Sequence, residues 1–415
     1  MPTSFTIPAS LILLAAAALG PRELREIDAA LVACGTRHSF SSWDDPKRGI
    51  GCARNLIVSD FKKSAAGDPA ARVVIDRFEG TSPRTNDKAV PLENVYLVLE
   101  GSDPVLKQTA FIISGHFDSR CSDVMDSTCD APGADDDASG TTVAIAAARI
   151  LPGKKHRATI ILAALAGEEQ GLLGGKRLAV WTKDQGFAVG GVLNNDIVGA
   201  TNGSTDRRPR VFCEDDFATP ARNLGLWLDE FFGREKVRLV FHKDRFGRGG
   251  DHLPFLEAGL PAVRFTEPRE DYRHQHQTPR IEDGVEYGDL QKFMDFDFLG
   301  SVARLNSDAI LRLANAPAPP SSAIVEGAAK PDTTVMFEAG DDPQRSGFEI
   351  LSRDTTAVRF SVLRKVAAAG AVTLEGVRID DQLFAVRSIG KNGERSIAIE
   401  AKPQVRKPAG SPPPK

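Results

Sequence analysis

Apolar and polar positions alternate in two different ways along the first three quarters of the chain. Residues 72–80 and 94–101 alternate one by one, which predicts two strands with one buried face. Later apolar runs are nearly continuous, and such runs are typical of strands that are buried on both faces. These runs are TAFIISGH, ATIILAALAG, VGGVLNND and PAVRFTE.

Segments with helical spacing lie before and between the continuous runs. They are PRELREIDAALVACG, SGTTVAIAAARIL, GLLGGKRLAVWTK, TPARNLGLWLDEFFG and the region 288–315. Ser139 is expected to cap the second of these helices, since a serine side chain can accept a hydrogen bond from the first turn. Strands that alternate with helices form sheets covered on both faces, so the pattern predicts an α/β fold with a largely parallel sheet.

The pattern changes after the Pro-, Ala- and Ser-rich segment 314–323, which we expect to be a linker. Short alternating runs separated by turn residues follow it, and they predict a small all-β sandwich over 324–403. The Pro-rich end, 404–415, is expected to be disordered.

An apolar run lies near the start of the chain, between Ile7 and Gly20. It is shorter than the roughly 20 residues that a membrane-spanning helix needs. Its Ala-rich end is typical of a secretory signal peptide, although no Lys or Arg precedes it. We therefore expect a signal peptide at 1–20 and a main domain at 21–313; the alternative is a buried N-terminal helix.

Charge and cysteine content bear on partners and compartment. The 415-residue chain has a formal net charge of −4, so neither nucleic acid nor an anionic membrane is expected as a partner. Of the five cysteines, Cys34 and Cys52 flank one short segment, and Cys121 and Cys129 another. Two local disulfides, with Cys213 left over, would suit a periplasmic or secreted protein. No pair has zinc-finger spacing.

Polar motifs follow the predicted buried strands, where open α/β sheets place their sites. In SGHFDS, His116 and Asp118 are two residues apart on an extended segment, so both side chains point the same way. In PGADDDASG, three adjacent aspartates repel one another unless a cation or a helix N-terminus offsets their charge. Either motif alone could be an ordinary polar loop; together they indicate a metal site.

Three further motifs extend this set. LAGEEQG places Glu168 and Glu169 after a buried strand, where adjacent acids can serve as general base and metal ligand. NNDIV places Asp196 at the end of another strand, and YRHQHQT offers His274 and His276. Imidazole and carboxylate ligands together suit two zinc ions or similar borderline metals.

These motifs, with GGDHLPFLEAGLPAVRFTE, resemble those of the M28 peptidases, a family of zinc-dependent aminopeptidases whose two metals act together. The similarity covers about 30–310, and the last domain is similar, more loosely, to a fibronectin type III sandwich. The resemblance implies a three-layer α/β/α fold around a mixed, mostly parallel sheet, and two zinc ions.

The resemblance also implies a ligand set. His116 and Asp196 would complete one zinc site, Glu169 and a late histidine would complete the other, and Asp135 would bridge both metals. Of the other two aspartates, Asp136 would support the turn, and Asp137 would face the following helix or solvent.

Roles follow for the remaining candidates. Glu168 would be the general acid/base and Asp118 the carboxylate behind His116. His276 leads into QTPRIED, the closer match to the family, so we expect it to be the late ligand. His274 would lie behind the ligands or in the substrate pocket, and Arg248 could meet a substrate carboxylate.

The function that these residues predict is that of an exopeptidase that removes N-terminal amino acids from peptides. Metal-activated water would attack the scissile carbonyl, and no GxSxG nucleophile motif is present. A carboxypeptidase or a glutaminyl cyclase-like enzyme on the same fold is the first alternative. A non-catalytic binding protein is the second, although that reading expects a broken ligand set. A monomer is expected rather than an oligomer.

Overall fold

The structure is a computed structural model that describes residues 19–213, 219–242, 249–328 and 330–404. The chain divides into two compact units, Met1–Ala314 and Asn315–Lys415, and the division lies at the start of the predicted linker. Most of the predicted signal peptide and of the predicted disordered end lies outside the described residues. No described helix is long and apolar enough to cross a membrane.

The N-terminal unit contains the predicted alternation of strands and helices. In chain order its elements are α1 (Pro21–Val32), α2 (Ile50–Ala65), β1 (Ala71–Gly80), β2 (Val90–Leu99), β3 (Thr109–His116), α3 (Ala138–Ile150), β4 (Thr159–Leu165), α4 (Leu173–Asp184), β5 (Ala188–Asn195), β6 (Arg210–Phe212), α5 (Thr219–Phe232), β7 (Arg238–Val240), α6 (Leu253–Glu257), β8 (Ala262–Thr266), β9 (Arg280–Glu282), β10 (Val285–Tyr287) and α7 (Phe296–Asn315).

Eight strands form one mixed sheet in the order β1-β2-β4-β3-β5-β8-β6-β7. The central strands β4, β3, β5 and β8 are parallel. On one side β2 pairs antiparallel with β4, and β1 with β2; on the other side β6 pairs antiparallel with β8, and β7 pairs parallel with β6. The carboxyl ends of the four central strands therefore meet at one edge. Each of these strands is almost completely buried, as their continuous apolar runs predicted.

Helices cover both faces of the sheet and complete the three-layer fold predicted from the sequence. Helices α4, α5 and α6 pack on one face, where Leu178 and Trp181 join Tyr96 and Ile112 in one buried cluster. On the other face α3 packs along the central strands, and α1 and α2 pack against α3. Burial of these apolar faces is the main stabilising contribution to the layers.

Two details differ from the prediction. Helix α3 is capped by Asp137, whose carboxylate accepts a hydrogen bond from the backbone of Gly140 at 2.8 Å; Ser139 is already inside the helix. Helix α2, the short helix α6, the short strands β6 and β7 and the β9–β10 hairpin were not predicted. Strands β6 and β7 have only three residues each, too few to show a period in the sequence.

The C-terminal unit is a small sandwich of eight strands. They are β11 (Ser322–Glu326), β12 (Thr333–Glu338), β13 (Arg345–Asp354), β14 (Ser361–Val366), β15 (Gly370–Leu374), β16 (Gln382–Gly390), β17 (Ile399–Glu400) and β18 (Lys402–Pro403). They form two four-stranded sheets, in the orders β15-β12-β11-β18 and β14-β13-β16-β17. Apolar side chains from both sheets, among them Phe337 and Phe348, form one core.

Both pairs of neighbouring cysteines are joined in the structure. Cys34 is bonded to Cys52 and Cys121 to Cys129, while Cys213 is buried and outside any disulfide. The first bond links the end of α1 to α2, and the second closes the loop after β3.

Candidate active site

Loops at the carboxyl edge of the sheet form a cleft of about 570 Å³, and four of the predicted site residues line it: Glu168, Glu169, Asp196 and His276. Strand β3 ends at His116, the loop after it carries Asp118, and the segment before α3 carries the three aspartates. The loops after β4, β5 and β8 supply the two glutamates, Asp196 and His276. The lining includes Arg84, Arg120, Asp136, Glu168, Glu169, Leu172, Asp196, Ile197, Leu253, Arg264 and His276.

Three buried side chains form a first group at the floor of this cleft: His116, Asp136 and Asp196. The Nε2 atom of His116 lies 3.2 Å from an Asp136 oxygen and 3.9 Å from an Asp196 oxygen. Arg264, which is also buried, donates to the other Asp196 oxygen at 3.3 Å. One oxygen of Asp196 is thereby directed at His116.

A second group lies beside the first and consists of Asp136, Glu169 and His276. The Nε2 atom of His276 is 2.7 Å from the second Asp136 oxygen and 3.0 Å from a Glu169 oxygen. Asp136 therefore uses one oxygen toward each group, so its carboxylate is the shared element of the site.

The shared position was predicted for Asp135, and the structure corrects this prediction to Asp136. One Asp135 oxygen accepts the backbone N–H of Gly199 at 2.6 Å, its carboxyl group also interacts with Glu267, and it belongs to neither group. Burial and the Asp135 carboxylate raise the pKa of Glu267 to about 12. A carboxyl group with a pKa this high favours its neutral form near pH 7, which suits a hydrogen bond between Glu267 and Asp135.

Asp137 has a structural role, as expected for an acid next to a helix start. Besides capping α3, it accepts the backbone N–H of His116 at 2.9 Å. It thus ties the end of β3 to the start of α3. The three adjacent aspartates have three different roles.

The atoms present fit divalent cations. Imidazole nitrogens and carboxylate oxygens are the donors that zinc takes in sites with mixed ligands. Glu169 Oε1 is buried, and its close polar neighbour is Nε2 of His276 at 3.0 Å, so both atoms face the space where a cation would bind. Burial alone would lower the pKa of His116, but the carboxylates of Asp137, Asp118 and Asp136 raise it well above its usual range. The site thus favours positive charge where Nε2 points.

Asp118 lies behind His116, as predicted, and its carboxylate also binds the backbone of the loop after β4. The Nδ1 atom of His116 is 3.2 Å from the Asp118 backbone oxygen and 3.5 Å from its carboxylate. Both partners are acceptors, so Nδ1 carries a proton, and Nε2 is the ring nitrogen left to bind a metal ion. The same carboxylate accepts the backbone N–H groups of Glu168 and Glu169 at 3.2 and 3.1 Å.

Glu168 lines the cleft next to both groups. Its carboxyl group makes no hydrogen bond to any residue that the structure describes, so it is available to a substrate or water. Burial raises the pKa of Glu168 well above its usual range; His116 opposes this, while Asp196 and Glu169 add to it. A carboxyl group with a raised pKa can exchange protons near neutral pH, which is what a general acid/base requires.

Two residues missed in the sequence position the aspartate segment. Asp289 is buried, and its two oxygens accept the backbone N–H groups of Asp135 and Asp136 at 2.8 and 2.7 Å. Arg37 is fully buried and donates to the backbone oxygens of Phe117 and Gly133 at 2.7 and 2.8 Å. Neither residue lies in a motif with a chemical signature, so no sequence pattern pointed to them.

The two substrate-binding predictions have different outcomes. His274 lies outside the cleft, where its ring stacks on Phe293 with the centroids 3.8 Å apart; its predicted substrate role is corrected to a packing role. Arg248 lies outside the described residues.

Arg120, which directly follows the SGHFDS motif, was not predicted. It donates to Glu169 at 2.8 Å and lies 2.5 Å from His276 Nδ1.

Comparison with known proteins identifies the family. The model of peptidase family M28 matches residues 94–296, which include every member of both groups. A probable zinc metalloprotease of Leptosphaeria maculans is 37% identical over 398 residues, which are 89% of this chain and 91% of that protein. The chain belongs to peptidase family M28.

Solved structures of proteins with low sequence identity to this chain have a similar fold. The LapA aminopeptidase of Legionella pneumophila is 20% identical, with a TM-score of 0.55 over 74% of this chain and 73% of that chain. The glutaminyl cyclase of Porphyromonas gingivalis is 16% identical, with a TM-score of 0.51 over 70% of this chain and 97% of that chain. At these identities the likeness concerns the fold.

Proposed function

We propose that this M28 peptidase is a zinc-dependent exopeptidase that removes N-terminal amino acids from peptides. The observation that carries the proposal is the shared Asp136, which joins two groups of metal-ligand side chains beside the uncommitted carboxyl of Glu168. The first group, with Asp196 and His116, and the second, with Glu169 and His276, would each hold one zinc ion. The name of the Leptosphaeria relative supports zinc as the metal.

The chemistry divides between the metals and the chain. These ligands would hold zinc, and the bound metal would supply polarisation of the scissile carbonyl and a more acidic water. Glu168 takes a proton from the attacking water onto its carboxylate and passes that proton to the nitrogen of the leaving amine. Asp118 keeps His116 in the tautomer with a free Nε2 and fixes the backbone of Glu168, so it positions the reacting groups without touching the substrate.

One observation favours a second candidate, a carboxypeptidase. The side chain of Arg84 is exposed in the cleft, and a guanidinium is well suited to pairing with a carboxylate such as a peptide C-terminus. Its Nη1 atom donates to the backbone oxygen of Glu169 at 2.6 Å, which places this charge next to the second group.

The experiment that tests the proposal compares two substrate sets under zinc. Aminoacyl-anilides report N-terminal cleavage, and N-blocked peptides with free carboxyl ends report C-terminal cleavage. We expect hydrolysis of the anilides, its loss with a chelator, and its loss in Glu168→Gln with unchanged zinc content. Cleavage of the N-blocked peptides alone would replace the first candidate with the second. Absence of chelator-sensitive hydrolysis of both sets would overturn both candidates in favour of a binding protein.

We also propose that the protein is exported to an oxidising compartment. The two disulfides support this, because such bonds persist mainly outside the reducing cytosol. Fractionation followed by N-terminal sequencing tests the proposal. The expected result is an exported form that begins near residue 20; recovery of the intact chain from the cytosol with reduced thiols would contradict it.

A further inference from the structure

The disulfide between Cys121 and Cys129 lies next to the second group of ligand side chains. Cys121 is buried, with 1% of its surface exposed, and it stands between Arg120 and Ser122 in the chain. Both of these neighbours contact the segment that begins with His276. The position of one buried sulfur atom therefore fixes two contacts of that segment.

Ser122 and Thr278 are joined by hydrogen bonds in both directions. The backbone N–H group of Thr278 donates to the Ser122 hydroxyl at 3.0 Å, and the backbone N–H group of Ser122 donates to the Thr278 hydroxyl at 3.3 Å. The two hydroxyl oxygens are 3.3 Å apart. Because Thr278 comes two residues after His276, this pair ties the histidine to the loop that the disulfide closes.

Arg120 contacts the same segment. Its Nη2 atom lies 2.5 Å from Nδ1 of His276, and its Nε atom donates to Glu169 at 2.8 Å. Apart from the carboxylates that face Nε2 of His276, Arg120 and Ser122 are the described residues of other loops that hydrogen-bond to residues 276–278. The segment is therefore held by the two residues on either side of one cysteine.

The backbone of His276 needs such support. Its φ angle of +57° lies in the left-handed region, which costs free energy for a residue with a Cβ atom. Its Nε2 atom nevertheless lies 2.7 Å from Asp136 and 3.0 Å from Glu169. A conformation of this kind persists only where surrounding contacts impose it. Loss of the two contacts would let the imidazole leave the second group.

The other end of the disulfide is anchored to the body of the N-terminal unit. Cys129 stands between Thr128 and Asp130, and Arg48 contacts both of them. Its Nη2 atom donates to the Thr128 backbone oxygen at 3.1 Å and to the Asp130 carboxylate at 2.8 Å. The S–S bond transfers this anchor to Cys121. Without the bond, the two ends of the loop are joined only by a largely exposed stretch of chain.

We propose that the disulfide between Cys121 and Cys129 controls the assembly of the second group, with Ser122 and Thr278 as positioning residues that act through His276. While both cysteines are thiols, the imidazole is not held in place and hydrolysis is impaired. This inference rests on the proposed use of the second group as a zinc site, but it does not depend on which peptide bond is cleaved.

Oxidation completes the site by thiol–disulfide exchange. A disulfide oxidant, such as oxidised glutathione, takes two electrons and two protons from the thiols of Cys121 and Cys129. The S–S bond of the oxidant breaks to give two thiols, and the S–S bond of the protein forms. Cys129 is the partly exposed partner, so the oxidant reaches its sulfur first. An exported chain would thus become fully active only in an oxidising compartment.

The test compares the wild type with two double variants of the full chain, each without one disulfide. In Cys121→Ser/Cys129→Ser we expect about one zinc ion fewer per chain after dialysis, and at least tenfold lower kcat/KM for aminoacyl-anilides. Cys34→Ser/Cys52→Ser is the matched control and should keep zinc and activity within a few-fold of the wild type. Serine variants are used for the zinc count because free thiols themselves bind zinc.

A pair of single variants tests the positioning role with both disulfides intact. Ser122→Ala removes the hydroxyl that Thr278 contacts, so zinc retention and kcat/KM should fall several-fold. Ser127→Ala is the matched control, because Ser127 lies in the same loop and makes no hydrogen bond to any residue that the structure describes. The two variants should unfold at the same urea concentration without zinc, which separates positioning from a general loss of stability.

Reduction and reoxidation of Cys34→Ser/Cys52→Ser give a second readout. Hydrolysis should fall after treatment with a phosphine reductant and desalting, and it should return after oxidised glutathione is added. Activity that does not respond to the reductant, although the free thiols of Cys121 and Cys129 are then detected chemically, would overturn the proposal.

The remaining outcomes separate this inference from the proposed function. Full zinc content and activity in a folded Cys121→Ser/Cys129→Ser would overturn the inference and leave the peptidase standing. Equal losses in the two double variants would also overturn it. Zinc loss confined to Cys121→Ser/Cys129→Ser, with no peptidase activity in the wild type, would uphold the inference and contradict the proposed function. If this variant does not fold, the comparison of Ser122→Ala with Ser127→Ala decides.

Discussion

Asp289 holds Asp136 through its backbone: one Asp289 oxygen accepts the Asp136 N–H group at 2.7 Å. Asp136, which both ligand groups share, is thus positioned by a buried acid that lies far along the chain. The other Asp289 oxygen accepts the N–H group of Asp135 at 2.8 Å, so this carboxylate clamps the start of the aspartate segment.

Replacing Asp289 by Asn tests this clamp. An amide group can accept through only one atom, so one backbone N–H group would face another donor and the Asp136 side chain would shift. We expect zinc affinity to fall roughly 10- to 100-fold, the usual effect of losing a partner behind the ligands. Asp283→Asn, at an exposed position in the preceding turn, is the control and should bind zinc normally. Normal zinc binding by Asp289→Asn would contradict the clamp.

Separate replacements of Asp135 and Asp136 by Asn distinguish these neighbours. Asp136→Asn removes the carboxylate used by both groups, so zinc binding and hydrolysis should fall more than the roughly 100-fold expected for an outer partner. Asp135→Asn leaves every member of both groups intact and should have the smaller effect on zinc affinity. Zinc content measured after dialysis gives the comparison. An effect of Asp135→Asn as large as that of Asp136→Asn would restore Asp135 to the shared position.

The buried Asp28 predicts a pH dependence of stability. Burial raises its pKa from 3.8 to about 7, while a hydrogen bond from Gln291 and the charge of Arg37 oppose the shift. An acid whose pKa is raised by folding stabilises the fold below the unfolded pKa. That stability is lost as pH rises from about 4 to 7. At about 1.36 kcal/mol per pKa unit, the loss approaches about 4 kcal/mol.

Asp28→Asn should remove this dependence. Its unfolding free energy relative to the wild type should increase between pH 5 and pH 8, because the amide carries no charge to bury. All three tryptophans lie in the N-terminal unit, so their fluorescence during urea unfolding reports this unit. A difference between variant and wild type that does not change with pH would contradict the assignment.

The disulfide between Cys34 and Cys52 should stabilise the N-terminal unit more than the one between Cys121 and Cys129. The paired residues are 18 positions apart in the first case and 8 in the second. A disulfide restricts the unfolded chain, and this adds about 3 kcal/mol to the free energy of unfolding for the longer loop and about 2.5 kcal/mol for the shorter one. Paired Cys→Ser variants, unfolded in urea and followed by tryptophan fluorescence, test the order. A larger loss for the shorter loop would contradict it.

The layers and the sheet could be predicted because buried positions along the chain are apolar and their spacing indicates strands and helices. The central strands are buried on both faces, and their apolar runs showed this. Residues at the carboxyl ends of those strands could be grouped for the same reason, since parallel strands end at one edge. His116, Glu169 and Asp196 were grouped in this way, whereas His276 was chosen over His274 from its resemblance to the family motif.

The predictions that were wrong or missing depend on where the backbone runs and where side chains point, which a sequence does not record. Asp135 and Asp136 are chemically identical neighbours, and only the path of the backbone decides which one faces His116. Asp289 and Arg37 act by holding backbone groups, a role that requires no neighbouring motif. Arg120 directly follows the first motif, but its position against His276 arises from a contact between distant loops.

The members of the two groups come from separate connections between β3 and the loop after β8, and they meet only when the sheet is assembled. An unfolded chain offers no such arrangement, so a metal that binds these groups is a ligand of the native state alone. Its binding free energy adds to the stability of the N-terminal unit by mass action. The melting temperature of the protein should therefore rise with the concentration of free zinc in the solution.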